Sequence, residues 1–149
     1  MALYDNINND MKEAMKSHDK ESLSTIRLLK SAIDLQKINN KLEEINDDLV
    51  IEVASRQVKQ HKESITEFRS AGRNDLADNL EREIKLISKY LPEQLSKEEI
   101  EEEIDKIFEE VKPESKKDMG KVMKEANIRL KGKADFKLVS EIVNSKLSA

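Results

Sequence analysis

Apolar residues return at every third or fourth position along most of this chain, the spacing of a helical stripe rather than of a strand. Leu3, Ile7, Met11 and Met15 step by four and predict a first helix that stops near Ser17 and His18. Leu23, Ile26, Leu29 and Ile33 predict a second, from about Lys20 to beyond Ile38, with Leu42 and Ile45 leaving room for it to continue. Asn46, Asp47 and Asp48 supply side-chain oxygens and negative charge for the unpaired first-turn amides of a third. In that helix Ile51, Ala54, Val58, His61, Ile65 and Phe68 alternate steps of three and four, the seam of a packed helical pair. Gly72 in "SAGRND" suits a left-handed helix end, and Asn74 or Asp75 then caps a fourth helix bearing Leu76, Leu80, Ile84 and Ile87.

The clearest boundary is "KYLPEQLSKEEI". Pro92 disfavours helix at Leu91, and Ser96 with Glu99 three residues later is a capping box that restarts one. A fifth helix carries Ile100, Ile104, Ile107 and Phe108 and ends before Pro113. Ser115 or Asp118 starts a sixth, with Val122, Met123, Ala126 and Leu130, which Gly132 closes. Asp135 caps a seventh through Phe136, Val139, Ile142, Val143 and Leu147. No sequence period of solenoid length recurs. The expected fold is all-α: an elongated four-helix domain over 1–92, then a compact three-helix tail over 93–149.

Composition adds limits. The 149 residues are 37% apolar and 39% charged, which suits slender helices with much exposed surface, and a net charge of -4 is too small to force disorder on so periodic a chain. The absence of cysteine removes disulfides, thiolate metal sites and cysteine nucleophiles. Apolar runs such as Leu49, Val50 and Ile51 extend for no more than three or four residues, far short of a bilayer span, and "MALYDNINNDMKEAMK" lacks the cationic start and apolar block of a signal peptide. These features predict a soluble, cytoplasmic protein with no membrane partner.

Charge is unevenly spread. Residues 1–115 hold 18 basic and 27 acidic side chains, whereas 116–149 hold 9 basic and 4 acidic; within the tail, 93–115 has 10 acids against 3 bases. One reading is internal: an acidic helix lies beside two basic ones and their charges partly neutralise at the shared rims. The other is a phosphate-binding surface made of Lys116, Lys117, Lys121, Lys124, Arg129, Lys131, Lys133 and Lys137, which would hold a nucleic-acid backbone by counterion release. Phe136, the one aromatic residue among these cations, belongs to the apolar face of the seventh helix; with no aromatic interleaving for base stacking, such a surface would read shape and backbone rather than bases. Gly132 reads as a helix cap, or as a place where a phosphate approaches the backbone. Gly120, costly inside a helix, reads first as a site of close helix packing and second as part of a first turn whose amides face an anion.

Catalytic signals are thin. His61 lies on a helix seam and His18 in a turn, and neither has a glutamate three residues before it as a carboxylate-bridged di-metal bundle requires. The acidic run "KEEIEEEIDKIFEE" lacks the glycine-centred spacing of a calcium loop, and no nucleotide, nucleophile-elbow or zinc motif is present. The residues alone imply no catalytic group, metal or cofactor.

"YLPEQLS" together with "MGKVM" and "KGKAD", and in the first half "LLKSAI" and "ASRQVKQHKESITEF", closely resemble the YqeY family of small bacterial proteins over essentially the whole chain. The family's carboxy-terminal part is similar to the tail domain of the B subunit of the glutamyl-tRNA and aspartyl-tRNA amidotransferase. The resemblance implies a three-helix tail with motif positions Met119, Gly120, Lys121, Val122, Met123, Gly132, Lys133, Ala134 and Asp135, and tRNA or another structured RNA as partner. It implies no catalysis, because the amidotransferase's catalytic parts have no counterpart in this sequence. The expected function is a tRNA-binding module that is not an enzyme by itself. The alternative is a protein-interaction adaptor, docking through the 51–68 seam and the acidic helix, or an accessory component of a carbon-nitrogen ligase assembly working with amidotransferase or aminoacyl-tRNA-handling proteins.

Overall fold

The computed structural model describes residues 2–148, and among them there are seven α-helices and no strand. In chain order these are α1 (Leu3–Lys16), α2 (Lys20–Asn39), α3 (Asp47–Ser70), α4 (Asn74–Ile87), α5 (Lys97–Val111), α6 (Met119–Leu130) and α7 (Phe136–Ser148), with short 3-10 turns at Ser88–Tyr90 and Lys116–Asp118. The chain divides between Pro92 and Glu93 into two units, each closed around its own apolar core.

The first unit holds α1 to α4. The stripe Ile26, Leu29 and Ile33 of α2 is buried against Ile7 of α1 and against α3. α3 packs on α1, α2 and α4, so its buried arc is wider than a single seam: Leu49, Val50, Val53, Ala54 and Val58 are buried, whereas Ile51 is only half-buried. Beyond Val58, the half-buried His61, Ile65 and Phe68 continue the expected stripe. Ala54 and Val58 of this seam are spent inside the unit, while Ile51, His61, Ile65 and Phe68 stay half-covered, so only part of it is left for the docking that the adaptor reading assigned to it.

Three helices of this unit end in the same motif. At α1, Asp19 N–H donates to the Ala14 carbonyl (3.0 Å) and His18 N–H to that of Met15 (3.3 Å), with His18 at φ 58. At α3, Arg73 N–H reaches Phe68 (2.8 Å) and Gly72 N–H reaches Arg69 (3.1 Å), with Gly72 at φ 75. At α2, Leu42 N–H reaches Lys37 (3.0 Å) and Lys41 N–H reaches Ile38 (3.1 Å), with Lys41 at φ 55. These are Schellman caps, which satisfy the last carbonyls with a left-handed residue. The α2 cap therefore stops the helix at Asn39 and rules out continuation through Leu42 and Ile45. α4 also begins differently from expectation: its N-cap is Arg73 without a side-chain cap bond, while Asp75 sits in the first turn and pairs with Arg73 at 3.4 Å.

The second unit holds α5 to α7, each giving three buried residues to one core: Ile100, Ile104 and Ile107; Val122, Ala126 and Leu130; Val139, Ile142 and Val143. The capping box forms, with Glu99 N–H donating to Ser96 Oγ (3.2 Å) and Ser96 N–H to Glu99 Oε1 (3.1 Å). α5 closes on Lys112, left-handed at φ 52, just before Pro113. Ser115 Oγ then accepts from Lys117 N–H (3.3 Å) and Asp118 Oδ2 from Glu114 N–H (2.8 Å), so both proposed starters act in the turn ahead of α6. Asp135 caps α7 through the N–H of Lys137 (3.0 Å).

Candidate nucleic-acid interface

Seven of the eight predicted cations fall into three groups. Lys116 and Lys117 occupy the 3-10 turn that leads into α6 and are exposed. Lys121 and Lys124 lie on α6 within about 60° of arc of each other, opposite the buried Val122, Ala126 and Leu130. Lys131 and Lys133 flank Gly132 in the α6–α7 turn, and Lys137 lies in the first turn of α7; all three side chains are exposed. Arg129 does not join them. Its Nε donates to Glu125 Oε1 at 2.9 Å and its Nη2 to the Glu110 carboxylate on α5. Those hydrogen bonds, Glu110 first and Glu125 second, raise the guanidinium pKa further. Arg129 thus ties the basic helix to the acidic one.

The same pairing appears elsewhere in the unit. Lys146 of α7 donates to Asp105 of α5, and Lys121 lies 3.9 Å from Asp118 with its side chain 77% exposed, too loose to restrain it. The internal reading of the charge asymmetry thus holds for two residues: Arg129 and Lys146 pair with acids of α5. Lys116, Lys117, Lys124, Lys131, Lys133 and Lys137 form no ion pair among the described residues and project into solvent.

Hydrogen bonds fix the turn that presents Lys131 and Lys133, both within the turn and from the segment ahead of α5. Lys131 at φ -55 and ψ 123, Gly132 at φ 74, and Lys133 N–H donating to the Leu130 carbonyl at 2.9 Å make a type II turn, whose third position favours glycine. Gln94 Nε2 donates to the Gly132 carbonyl (2.6 Å) and Leu95 N–H to the Lys133 carbonyl (2.9 Å). The two segments "PEQLS" and "KGKAD" are therefore hydrogen-bonded to each other across 38 residues. This linkage was missed from sequence, because nothing local marks a side chain for a distant carbonyl. Gly132 is buried and the Lys133 amide is engaged, so the turn role stands and close approach of a phosphate there does not.

Gly120 corrects the first expectation. It lies in the opening turn of α6, exposed, and a Cβ built there would meet nothing within 4 Å, so it serves no helix packing. The amide of Met119 beside it donates to Lys116, within the preceding 3-10 turn. Sequence reasoning also missed Ile128, which is 68% exposed within the Lys121 and Lys124 face of α6. Of the remaining motif positions, Val122 is buried, and Met119, Met123 and Ala134 pack against the tail core.

Outside this surface the candidate chemistry stays sparse. His61 Nε2 lies 3.6 Å from Glu83 Oε2, and the other oxygen of Glu83 is 3.4 Å from Thr25 Oγ1. His18 forms the α1 cap. A shallow cavity of about 350 Å³ between α5 and α7 is lined by Lys97, Glu101, Leu138, Glu141 and Ser145, among others, and by none of the eight predicted cations. Among the described residues no cluster of three or more His, Asp or Glu could hold a metal ion, and no helix is long and apolar enough to cross a membrane.

Comparison with known proteins extends the picture. Uncharacterized protein C22F3.15 of Schizosaccharomyces pombe is 34% identical over 85 residues, 56% of this chain and 68% of that protein. "Altered inheritance of mitochondria protein 41, mitochondrial" of Lachancea thermotolerans is 34% identical over 86 residues, 58% of this chain and 46% of that protein. Its namesake from Pyrenophora tritici-repentis is 29% identical over 141 residues, 93% of this chain and 75% of that protein. The chain thus spans less than half the length of the Lachancea relative. Relatives named as mitochondrial overturn the cytoplasmic expectation. That expectation drew on missing cysteines and the character of the first residues, neither of which selects a compartment. The model of the YqeY-like protein family matches residues 4–147, nearly the whole chain, and the protein belongs to that family.

Proposed function

We propose that the tail unit binds tRNA or another structured RNA through Lys116, Lys117, Lys121, Lys124, Lys131, Lys133 and Lys137, and that the chain acts as a binding module without catalysis of its own. The observation that carries the reading is the set of exposed lysines on and around α6, of which only Lys121 has a carboxylate nearby, loosely at 3.9 Å, while Arg129 and Lys146 are paired with α5. Lysines that stay hydrated in the free protein can neutralise phosphates and release the counterions condensed on the nucleic acid, which supplies most of a sequence-independent affinity. The Gly132 turn adds preorganisation: its carbonyls are held by Gln94 and Leu95, so the backbone bearing Lys131 and Lys133 loses little freedom on binding. The likeness of the tail to that of the tRNA-dependent amidotransferase B subunit supports tRNA as the RNA class.

The test is titration of the full chain with tRNA at several salt concentrations. Log affinity should fall linearly with log salt, and replacing both Lys131 and Lys133 with Gln should reduce that slope by about two. No association at low salt would refute the reading. Ile128 favours a second reading, an adaptor or an accessory component of a carbon-nitrogen ligase assembly, because an isoleucine 68% exposed among lysines suits an acidic, partly apolar protein surface. Capture from extract with and without ribonuclease separates the two, since only an RNA-bridged complex dissolves. The ligase reading further requires that added protein change the rate at which a purified amidotransferase amidates misacylated tRNA.

A further inference from the structure

α2 carries two apolar stripes. One, through Ile26, Leu29 and Ile33, is the core of the first unit. The other faces solvent: Leu28 is 61% exposed, Leu35 59%, Ile38 71% and, just past the helix, Leu42 38%. With Ser31 the helical positions run 28, 31, 35 and 38, alternating steps of three and four, and Leu42 follows just beyond the cap. That is the heptad spacing of a helix–helix seam, so the face is shaped to receive a helix.

The same face holds a groove and the knobs that fit it. The groove, about 310 Å³, lies on the amino-terminal half of α2 and is lined by Lys20, Leu23, Ser24, Arg27, Leu28 and Ser31. The most exposed knob, Ile38, lies on the carboxy-terminal half. Ser24 and Ile38 stand at equal distances on either side of Ser31, seven residues or about 10.5 Å each way. A two-fold axis through Ser31 therefore exchanges groove and knob. It lays a second α2 antiparallel on the first, seats each Ile38 in the other copy's groove and sets Leu28 near Leu35.

We propose that this face docks a second copy of the chain in that antiparallel arrangement. A closed two-fold interface requires the same patch to complement itself, and this stripe does. Charge selects the orientation. Lys20 and Arg27 at the groove form no ion pair among the described residues, and the antiparallel match brings Lys20 toward the acidic Glu43 and Glu44 that follow the partner's helix. A parallel match would stack Lys20 on Lys20 and Arg27 on Arg27. One helix pair buries less than a standard interface, so the dimer is reversible and concentration-dependent. This pairing is independent of RNA binding.

Sedimentation of the full chain from low micromolar to roughly 500 µM should show monomer passing to dimer, and Ile38→Glu should weaken association at least about tenfold. Because Ile38 is so exposed, that variant should keep the parent helicity and melting temperature, which distinguishes lost pairing from lost folding. The chain has no cysteine, so single replacements report on geometry without background. Ser31→Cys, on the axis, should oxidise readily to a covalent dimer, and Ile38→Cys should not. A monomer at every concentration overturns the proposal and leaves the face to a helix of another protein. A dimer that Ile38→Glu leaves intact, or in which Ile38→Cys crosslinks as fast as Ser31→Cys, overturns it equally.

Discussion

The two glycines of the tail should respond to alanine in opposite directions. Gly120 has helical backbone, lies in the first turn of α6, and would place an added Cβ in open space. Alanine there introduces no clash and removes conformational freedom from the unfolded chain, so Gly120→Ala should stabilise the tail by about 0.5–1 kcal/mol. In a unit of this size that raises the midpoint by about 2–8 °C. Gly132 is buried at φ 74, where an L side chain is crowded, and Gly132→Ala should cost about 1–2 kcal/mol. The assay is thermal unfolding of both full-length variants, with amide exchange at Val122, Ala126 and Leu130 reading the tail core specifically. A loss of stability in Gly120→Ala would mean that a neighbouring group does occupy that space. An unchanged Gly132→Ala would remove the type II turn as a source of stability. The same Gly120 variant tests function: if bare backbone beside Lys121 and Lys124 receives a phosphate, the added methyl should weaken tRNA binding while it stabilises the fold.

Three further outcomes follow from particular residues. Tyr4 is pushed up to about 12 by burial and by its hydrogen bond to Asp34 (2.7 Å), and Tyr90 is raised by burial and by Asp10. Both phenols thus keep protons that the unfolded chain releases, so their contribution is full below pH of about 10 and fades as pH rises toward 12; denaturant unfolding across that range should show it, less steeply in Tyr4→Phe. Lys41→Gly should stabilise the first unit by up to about 1 kcal/mol in the same assay, because the α2 cap holds a lysine at φ 55 where glycine is unstrained. Arg129→Gln should lower the tail's melting temperature and leave tRNA affinity within about twofold, since Arg129 is committed to Glu110 and Glu125.

Most of the fold was legible because helix stripes and caps are local. The capping box at Ser96 and Glu99, the Asp135 cap and the nine core residues of the tail all follow from residues no more than a turn or two apart. What escaped was set by partners distant in sequence or by backbone alone. The end of α2 is fixed by a lysine taking a conformation that its residue type does not advertise. The wide buried arc of α3 reflects three neighbouring helices, which a single-helix pattern cannot count. The outer stripe of α2 reads in the sequence only as room for a longer helix, because one apolar face suffices to explain the element.

The candidate site shows the same division more sharply. The excess of lysine after residue 115 is plain in the sequence, but which cations remain available depends on where α5 lies. Arg129 has the same formal charge as Lys131 two positions later, yet Arg129 points across the unit to Glu110 while Lys131 follows a turn that carries it into solvent. Charge counting weighs them equally. The fold separates them, because an arginine fork can satisfy two carboxylates at once and is held at 27% exposure, whereas the lysines around Gly132 have no acid within reach among the described residues. The part of the basic surface open to an anion is thus what remains after α5 has drawn its partners, and the Gln94 and Leu95 contacts fix the turn that carries two of those lysines.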